Sequence, residues 1–130
     1  MNKAAMASDP IERMKLVMSA NFSWNFYGHI FVKPLNPILG ETYQCYGQDG
    51  TKIYLEQTAH HPPRSHFIAD GPNDSWQMNG FLEYEIFAGL QSSNVNCLGF
   101  KECRFADGTK IRWNQNNDYL NGIFIGTMNH

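Results

Sequence analysis

The sequence predicts a mainly β protein with an N-terminal helix, in which a curved antiparallel meander follows the helix. A hydrophobic content of 42% with 14% aromatic residues is enough for a packed core in a chain of 130 residues. The 11 glycines and 6 prolines indicate many turns. Between these turns, short segments alternate apolar and polar residues, which is typical of antiparallel strands with one buried face.

The clearest helical pattern covers residues 10–22. Ser8 or Asp9 can cap this helix, and Pro10 suits its first turn. We expect its apolar stripe to pack on the sheet, because large apolar residues recur there at three- and four-residue steps: Ile11, Met14, Met18 and Phe22. Residues 1–9 carry no such pattern, and we expect them to form a disordered tail.

The rest of the chain reads as strands joined by turns. Residues 33–40 contain two prolines and a glycine, which exclude regular pairing and predict a braced loop. A three-residue loop at residues 107–109 would place Phe105 opposite Ile111 and Cys103 opposite Trp113. Strand-like segments occupy residues 41–47, 52–57, 65–69, 81–87, 95–105, 110–113 and 123–125.

The first hairpin determines which polar groups meet. If its turn centres on Asp49 and Gly50, Thr42 faces Gln57. The loop at residues 33–40 and the segment at residues 60–63 then leave the sheet at the same edge. A lysine point charge, an arginine fork and paired imidazoles suit a phosphate. The candidate anion-binding residues at this edge are Lys33, Asn36, His60, His61 and Arg64.

Residues 56–63, which read E-Q-T-A-H-H-P-P, are the most informative segment. Pro62 lacks a backbone donor and favours an extended His61, while Pro63 stiffens the next step. This presents two imidazoles from a rigid segment and favours ligand binding over a purely structural role. A zinc site built from His60, His61, His66 and Cys45 is a weaker alternative, because adjacent histidines of an extended chain point in opposite directions.

Charge and cysteine content restrict the function. A net charge of −2 argues against a broad surface for nucleic acid. The three cysteines are odd in number and lack C-x-x-C spacing, as in a reduced cytoplasmic protein. No apolar run reaches the ~20 residues that span a bilayer. We therefore expect a cytoplasmic protein that contacts membrane surfaces only transiently.

Two segments together resemble signatures of the oxysterol-binding protein family of lipid-transfer proteins. Residues 56–63 match its E-Q-x-x-H-H-P-P pattern at every fixed position. Residues 33–41, which read K-P-L-N-P-I-L-G-E, are similar to its K-P-x-N-P-x-x-G-E segment. The helix before these motifs and the strands after them follow the family order, so that the resemblance spans residues 10–127.

The resemblance implies a large β-barrel around a hydrophobic tunnel, and intermembrane transfer of lipids without catalysis, cofactor or metal. The two motifs would bind the head group of phosphatidylinositol 4-phosphate, with sterol or phosphatidylserine as the counter-lipid. His60 and His61 would contact the 4-phosphate. Together with Arg64 from the hairpin argument, the expected phosphoinositide-binding residues are Lys33, Leu35, Asn36, His60, His61 and Arg64.

The family domain is much longer than 130 residues. Its N-terminal lid would precede residue 10, and its C-terminal part would follow residue 130. We therefore expect residues 10–130 to form a partial domain. The alternatives are a truncated or degenerate fragment without autonomous lipid transfer and, less favoured, a small histidine-based metalloprotein.

Overall fold

A computed structural model of the protein describes residues 1–26, 36–89 and 92–121. Within these residues, two helices precede seven antiparallel strands and a short 3-10 turn at Pro72–Asp74. The helices are α1 (Asn2–Met6) and α2 (Pro10–Phe26), and the strands are β1 (Thr42–Tyr46), β2 (Lys52–His60), β3 (Pro63–Asp70), β4 (Trp76–Ala88), β5 (Ser92–Phe105), β6 (Lys110–Trp113) and β7 (Asp118–Asn121).

The sheet is a meander, as predicted. Strands β1 to β6 lie side by side in chain order, and β7 pairs with the N-terminal part of β5. The predicted strand at residues 123–125 lies outside the described residues. No helix in the described part of the chain is both long enough and apolar enough to cross a membrane.

Helix α2 starts where the sequence predicts, because Asp9 accepts hydrogen bonds from the backbone N–H groups of Ile11 and Glu12 at 3.3 and 3.1 Å. The prediction that its apolar stripe packs on the sheet is wrong. Val17 and Arg13 face the sheet instead and are only 2% and 7% exposed. The stripe lies on the opposite side of the helix, 44% to 65% exposed: Ile11, Met14, Met18 and Phe22.

The structure replaces the disordered tail that we expected over residues 1–9 with the short helix α1. Ala4 is fully buried. The Asn2 side chain donates to Asp49 Oδ2 at 2.8 Å and accepts from Trp76 Nε1 at 2.7 Å. These contacts explain why residues 1–9 are ordered, which the composition of the segment does not predict.

Arg13 holds the two helices against the second hairpin, which is formed by β5 and β6. Its guanidinium donates to the backbone carbonyls of Ala4 and Ala7 at 3.1 and 2.6 Å. It also donates to Thr109 Oγ1 at 2.9 Å and pairs with Asp107 at 2.6 Å. These bonds require Arg13 to face inward, and they explain why the apolar stripe of α2 faces outward.

The Asp107 carboxylate gives this contact a pH dependence. The backbone N–H of Thr109, the Thr109 side chain and Arg13 lower the pKa of Asp107 from 3.8 to about 2. Because the folded pKa is depressed, the contribution to stability is present above the unfolded pKa and is lost as the pH falls through the folded value.

We therefore expect Asp107→Asn to lower the melting temperature near neutral pH, with a difference from wild type that narrows between about pH 4 and pH 2. Thermal melts over this range test the prediction, with Glu12→Gln on the exposed side of α2 as the control. A difference that stays constant with pH would contradict it.

The predicted register of the first hairpin is wrong by one residue, since Thr42 faces Glu56 instead of Gln57. The Gly47 N–H donates to the Thr51 carbonyl at 2.8 Å. The loop therefore has three residues, closed by Gly50 at a φ of +86°. A left-handed third residue is typical of this loop, whereas our prediction centred the turn on a residue pair.

The second hairpin also departs from its predicted register, because its three-residue loop begins one residue earlier than predicted. Its loop is residues 106–108, again ending in a glycine with a φ of +86°. Cys103 consequently faces Ile111 rather than Trp113. The observed register also places Arg112 opposite Glu102, where opposite charges stabilise the pair.

Candidate functional site

The two histidines lie at the tip of the β2–β3 hairpin. His60 is the last residue of β2 and pairs with Pro63, the first residue of β3. His61 and Pro62 make the turn, and the peptide bond between them is cis. The segment therefore continues the sheet to a hairpin tip, where both histidine side chains are exposed.

The imidazole rings of His60 and His61 are in contact. Their centroids are 4.5 Å apart and their planes are inclined by 60°. Our expectation that adjacent histidines point in opposite directions does not apply, because the second histidine belongs to a turn and not to an extended strand. Two exposed rings in contact can donate to one oxyanion.

A β-bulge in β2 sets the direction of His60. Gln57 pairs with Ser65 and Ala59 pairs with Arg64, so that Thr58 is the extra residue. Side chains paired across an antiparallel ladder share a face. The bulge therefore returns His60 to the face of Gln57 and Ser65, which regular alternation would not do over three residues.

The end of the first loop docks on the same edge of the sheet. The Gly40 N–H donates to the Gln57 carbonyl at 2.8 Å, and the Gln57 N–H donates to the Glu41 carbonyl at 3.0 Å. The Ile38 N–H donates to the Glu41 carboxylate at 3.0 Å. Asn36 is exposed just before this docked segment. Lys33 and Leu35, the other expected ligands of this loop, lie outside the described residues.

Arg64 is engaged elsewhere. Its Nε donates to Glu83 Oε2 at 2.6 Å, and its Nη2 contacts the same oxygen. Its guanidinium also lies 5.4 Å from the centroid of the Phe81 ring. Because Arg64 follows Pro63 in the strand, its side chain lies on the face opposite His60. The structure therefore does not bring Arg64 beside the histidine pair.

The face of the sheet that packs on α2, here called the inner face, encloses a cavity of about 510 Å³. Its wall is mostly apolar and includes Val17, Leu55, Phe67, Ala69, Met78 and Trp113. The family resemblance implied a hydrophobic tunnel, but our sequence interpretation did not identify the residues that line this cavity. The available signal was the alternation of apolar residues along β2 and β3, which places Leu55, Phe67 and Ala69 on one face.

A charged residue lines this apolar cavity. Lys101 is 6% exposed, and burial lowers its pKa. Its Nζ donates to Asn21 Oδ1 at 3.2 Å, and Trp113 Nε1 donates to the same oxygen at 3.0 Å. Sequence reasoning also missed Lys101. Its even spacing from the buried Cys103 and Phe105 indicates that it faces the core.

The residues suggested for zinc are dispersed. His66 is bonded to Thr58 at 2.6 Å and lies on the face opposite His60. Cys45 lies on β1, opposite Ile53. Within the described part of the chain, no three histidine, cysteine or acidic side chains are grouped to hold a metal ion.

Comparison with known proteins identifies similar sequences over nearly the whole chain. A family model described as oxysterol-binding protein matches residues 1–130. Oxysterol-binding protein 9 of Dictyostelium discoideum is 38% identical over 125 residues, which are 95% of this chain and 29% of that protein. Oxysterol-binding protein-related protein 1 of Homo sapiens is 41% identical over 87 residues, which are 62% of this chain and 9% of that protein.

Two solved structures share the fold. The Osh3 ORD in complex with PI(4)P from Saccharomyces cerevisiae has a TM-score of 0.79 and 24% identity, covering 98% of this chain and 34% of that one. The Osh1 ORD domain in complex with ergosterol has a TM-score of 0.79 and 25% identity, covering 98% of this chain and 32% of that one. The chain thus spans about a third of these domains. The predicted fold class, an antiparallel meander that is part of a large β-barrel, is confirmed.

Proposed function

The chain belongs to the oxysterol-binding protein family, and from this premise we propose that it binds phosphatidylinositol 4-phosphate as part of a lipid-transfer domain. The observation that carries the proposal is the pair of contacting, exposed imidazoles of His60 and His61. They lie on the edge where the loop ending at Gly40 docks against Gln57. This edge combines donors suited to a phosphorylated head group.

Each expected ligand has a distinct part in the proposal. His60 and His61 donate to the 4-phosphate. Lys33 and Asn36, with the backbone near Leu35, bind the rest of the head group. These assignments follow the family signatures, and the position of the histidine tip beside the docked loop supports them.

The cavity suits the apolar part of a lipid. Its volume of about 510 Å³ lies within the range of small-ligand sites, about 300–1,000 Å³. We propose that a sterol or phosphatidylserine competes for the same domain, and that the reaction is exchange between membranes without covalent chemistry. In this proposal the domain works in the cytoplasm and contacts membrane surfaces transiently.

Vesicles that differ only in the inositol phosphate test the proposal. We expect the protein to extract lipid from vesicles with phosphatidylinositol 4-phosphate and to ignore matched vesicles with phosphatidylinositol. Adding sterol-loaded acceptor vesicles then measures exchange. Equal extraction from both donor vesicles, or none from either, would refute head-group recognition.

Binding without complete transfer is a second candidate function. Its support is the apolar stripe of α2, which is 44% to 65% exposed instead of packed on the sheet. In the vesicle assay this candidate predicts extraction that depends on the 4-phosphate, with no delivery to the acceptor vesicles.

A substitution of Arg64 tests whether the two faces of the β2–β3 hairpin have different roles. We propose that it has a smaller part in head-group binding, because Glu83 holds its guanidinium. Arg64→Ala should weaken phosphoinositide binding only a few-fold. It should also lower the free energy of unfolding by about 1–3 kcal/mol, since the 7% exposed Glu83 loses its partner.

Vesicle binding and chemical denaturation of the same variant test both parts of this prediction. The double variant Arg64→Met with Glu83→Leu is the matched control and should recover stability, because it leaves no buried charge unpaired. A loss of binding as large as that caused by replacing both His60 and His61 with alanine would contradict the prediction.

A further inference from the structure

The face of the sheet opposite the cavity, here called the outer face, carries three exposed cations on β5 and β6. Side chains alternate along β5, so that Arg104 points away from the buried Cys103. Lys110 pairs with Arg104 and Arg112 pairs with Glu102, which places all four side chains on the outer face. Glu102 is the only acidic residue of the two strands. The three cations are called the basic patch below.

The pairing of Arg104 with Lys110 is unfavourable for the hairpin itself. Like charges that lie directly opposite each other in a ladder repel. Glu102 offsets this repulsion only in part, because its carboxylate lies 3.8 Å from the Arg104 guanidinium, beyond hydrogen-bonding distance. On the other side of β5, the residue that faces Arg104 is the neutral Gln77. The fold therefore does not require this cluster, whereas an external anion would relieve the repulsion within it.

Arg112 is oriented for contact with a phosphate. Its guanidinium carbon lies 3.8 Å from the centroid of the Phe100 ring. Stacking on a ring fixes the plane of the guanidinium and leaves the N–H donors at its rim directed outward. An arginine held in this way can donate two parallel hydrogen bonds to one phosphate group.

The surroundings of the basic patch favour a broad, flat partner over a small soluble anion. The patch lies on an open sheet face, and apolar side chains on the same face are also exposed. Ile68, in the row of Glu102, is 36% exposed, and Leu98, further along β5, is 46% exposed. Cations beside exposed apolar groups are typical of a surface that contacts a membrane, because they meet anionic head groups while the apolar groups enter the interface.

We propose that the basic patch docks the protein on an anionic membrane surface, with its three cations against the head groups of acidic phospholipids. This contact depends on the density of negative charge and not on an inositol phosphate. The inference goes beyond the proposed function, because the patch lies on the face opposite His60. Six residues of β5 also separate Arg104 from Leu98, which shares a row with Arg64 near the histidine tip, a distance of roughly 20 Å.

Vesicles without phosphoinositide test the proposal. Phosphatidylglycerol supplies negative charge and is not one of the proposed cargo lipids. The wild-type protein should co-sediment with phosphatidylcholine vesicles that contain about 30% phosphatidylglycerol at least about 30-fold more tightly than with phosphatidylcholine alone. Added salt should weaken this preference. Arg104→Gln with Lys110→Gln should lower the affinity for the anionic vesicles about tenfold.

A matched variant separates the basic patch from net charge. Lys3→Gln with Lys15→Gln removes the same charge from exposed positions of the two helices and should keep the affinity. The patch variant should melt no lower than wild type, because it loses a like-charge pair. If it does melt lower, the wild-type ratio and its salt dependence decide alone. Equal binding of both vesicles, or an equal loss in the helix variant, overturns the proposal.

Two further comparisons identify the partner. Tighter binding to soluble polyglutamate than to the anionic vesicles, at equal charge concentration, would assign the patch to an acidic protein and overturn the membrane proposal. Vesicles with phosphatidylinositol 4-phosphate at matched total charge are tested on the same preparation. Binding that depends on the 4-phosphate without a phosphatidylglycerol preference overturns only the basic-patch inference. The reverse result overturns only the proposed head-group recognition.

Discussion

Replacing His60 and His61 together by alanine is expected to abolish the binding of phosphatidylinositol 4-phosphate vesicles and to leave the fold intact. In the proposed complex, each imidazole would supply a hydrogen bond to a charged group, worth about 1.5–3 kcal/mol. Loss of both should weaken binding by at least about 100-fold. The fold should persist because both side chains are exposed and the backbone pairing of His60 with Pro63 holds the tip.

Vesicle co-sedimentation with and without the 4-phosphate measures this effect. His66→Ala is the matched control, since it removes an imidazole on the opposite face, where His66 bonds to Thr58. The control should retain binding, and each single variant at the tip should be intermediate. Binding that persists in the double variant, or an equal loss in His66→Ala, would show that the tip does not contact the phosphate.

The second large effect is expected from Arg13→Ala, which should lower the free energy of unfolding by about 2–4 kcal/mol, since each buried carbonyl left without its donor costs about 1–3 kcal/mol. The Arg13 side chain is 8% exposed and pairs with Asp107. Removing it also leaves the carbonyls of Ala4 and Ala7 without their donor. Small domains are stable by only about 5–15 kcal/mol, so a large part of the population should unfold on mild heating.

Urea denaturation followed by tryptophan fluorescence tests the Arg13 prediction. Arg13→Lys should restore only part of the stability, because one ammonium cannot reproduce the planar fork that reaches both carbonyls. Lys15→Ala on the same helix should change the stability by less than about 0.5 kcal/mol, because its side chain is 70% exposed. An Arg13→Ala curve that overlays wild type would contradict this account of the helix orientation.

Local signals predict the elements of this fold better than their pairing. Asp9 and Pro10 mark the start of α2 correctly, and the two Asp-Gly pairs mark both hairpins. Both registers are nevertheless wrong, because a left-handed glycine is the third loop residue in each hairpin. Our predictions centred the first turn on the Asp-Gly pair and placed Gly108 in the middle of the second loop. A difference of one loop residue leaves little trace in composition, although it moves every pair of the ladder.

Long-range contacts explain the remaining differences between the sequence predictions and the structure. The spacing of Met14 and Met18 indicates a buried stripe, but the bonds of Arg13 to α1 and to the second hairpin turn that stripe outward. The periodicity of apolar residues alone does not show which of these two faces of α2 packs on the sheet. For the candidate site, the signature identifies His60 and His61. The residues that line the cavity, Lys101 among them, become visible only when the strands are aligned across the sheet.

The bulge at Thr58 gives physical meaning to the unspecified positions of the signature E-Q-x-x-H-H-P-P. Two residues, 58 and 59, separate Gln57 from His60. With the bulge, this number places the His60 side chain on the same face as Gln57. The direction of His60 depends on the number of these residues, whereas the Thr58 side chain makes a separate contact with His66 at 2.6 Å. A one-residue insertion or deletion between the glutamine and the histidines would therefore be more disruptive than any substitution at those two positions. In this motif, spacing carries as much information as chemistry.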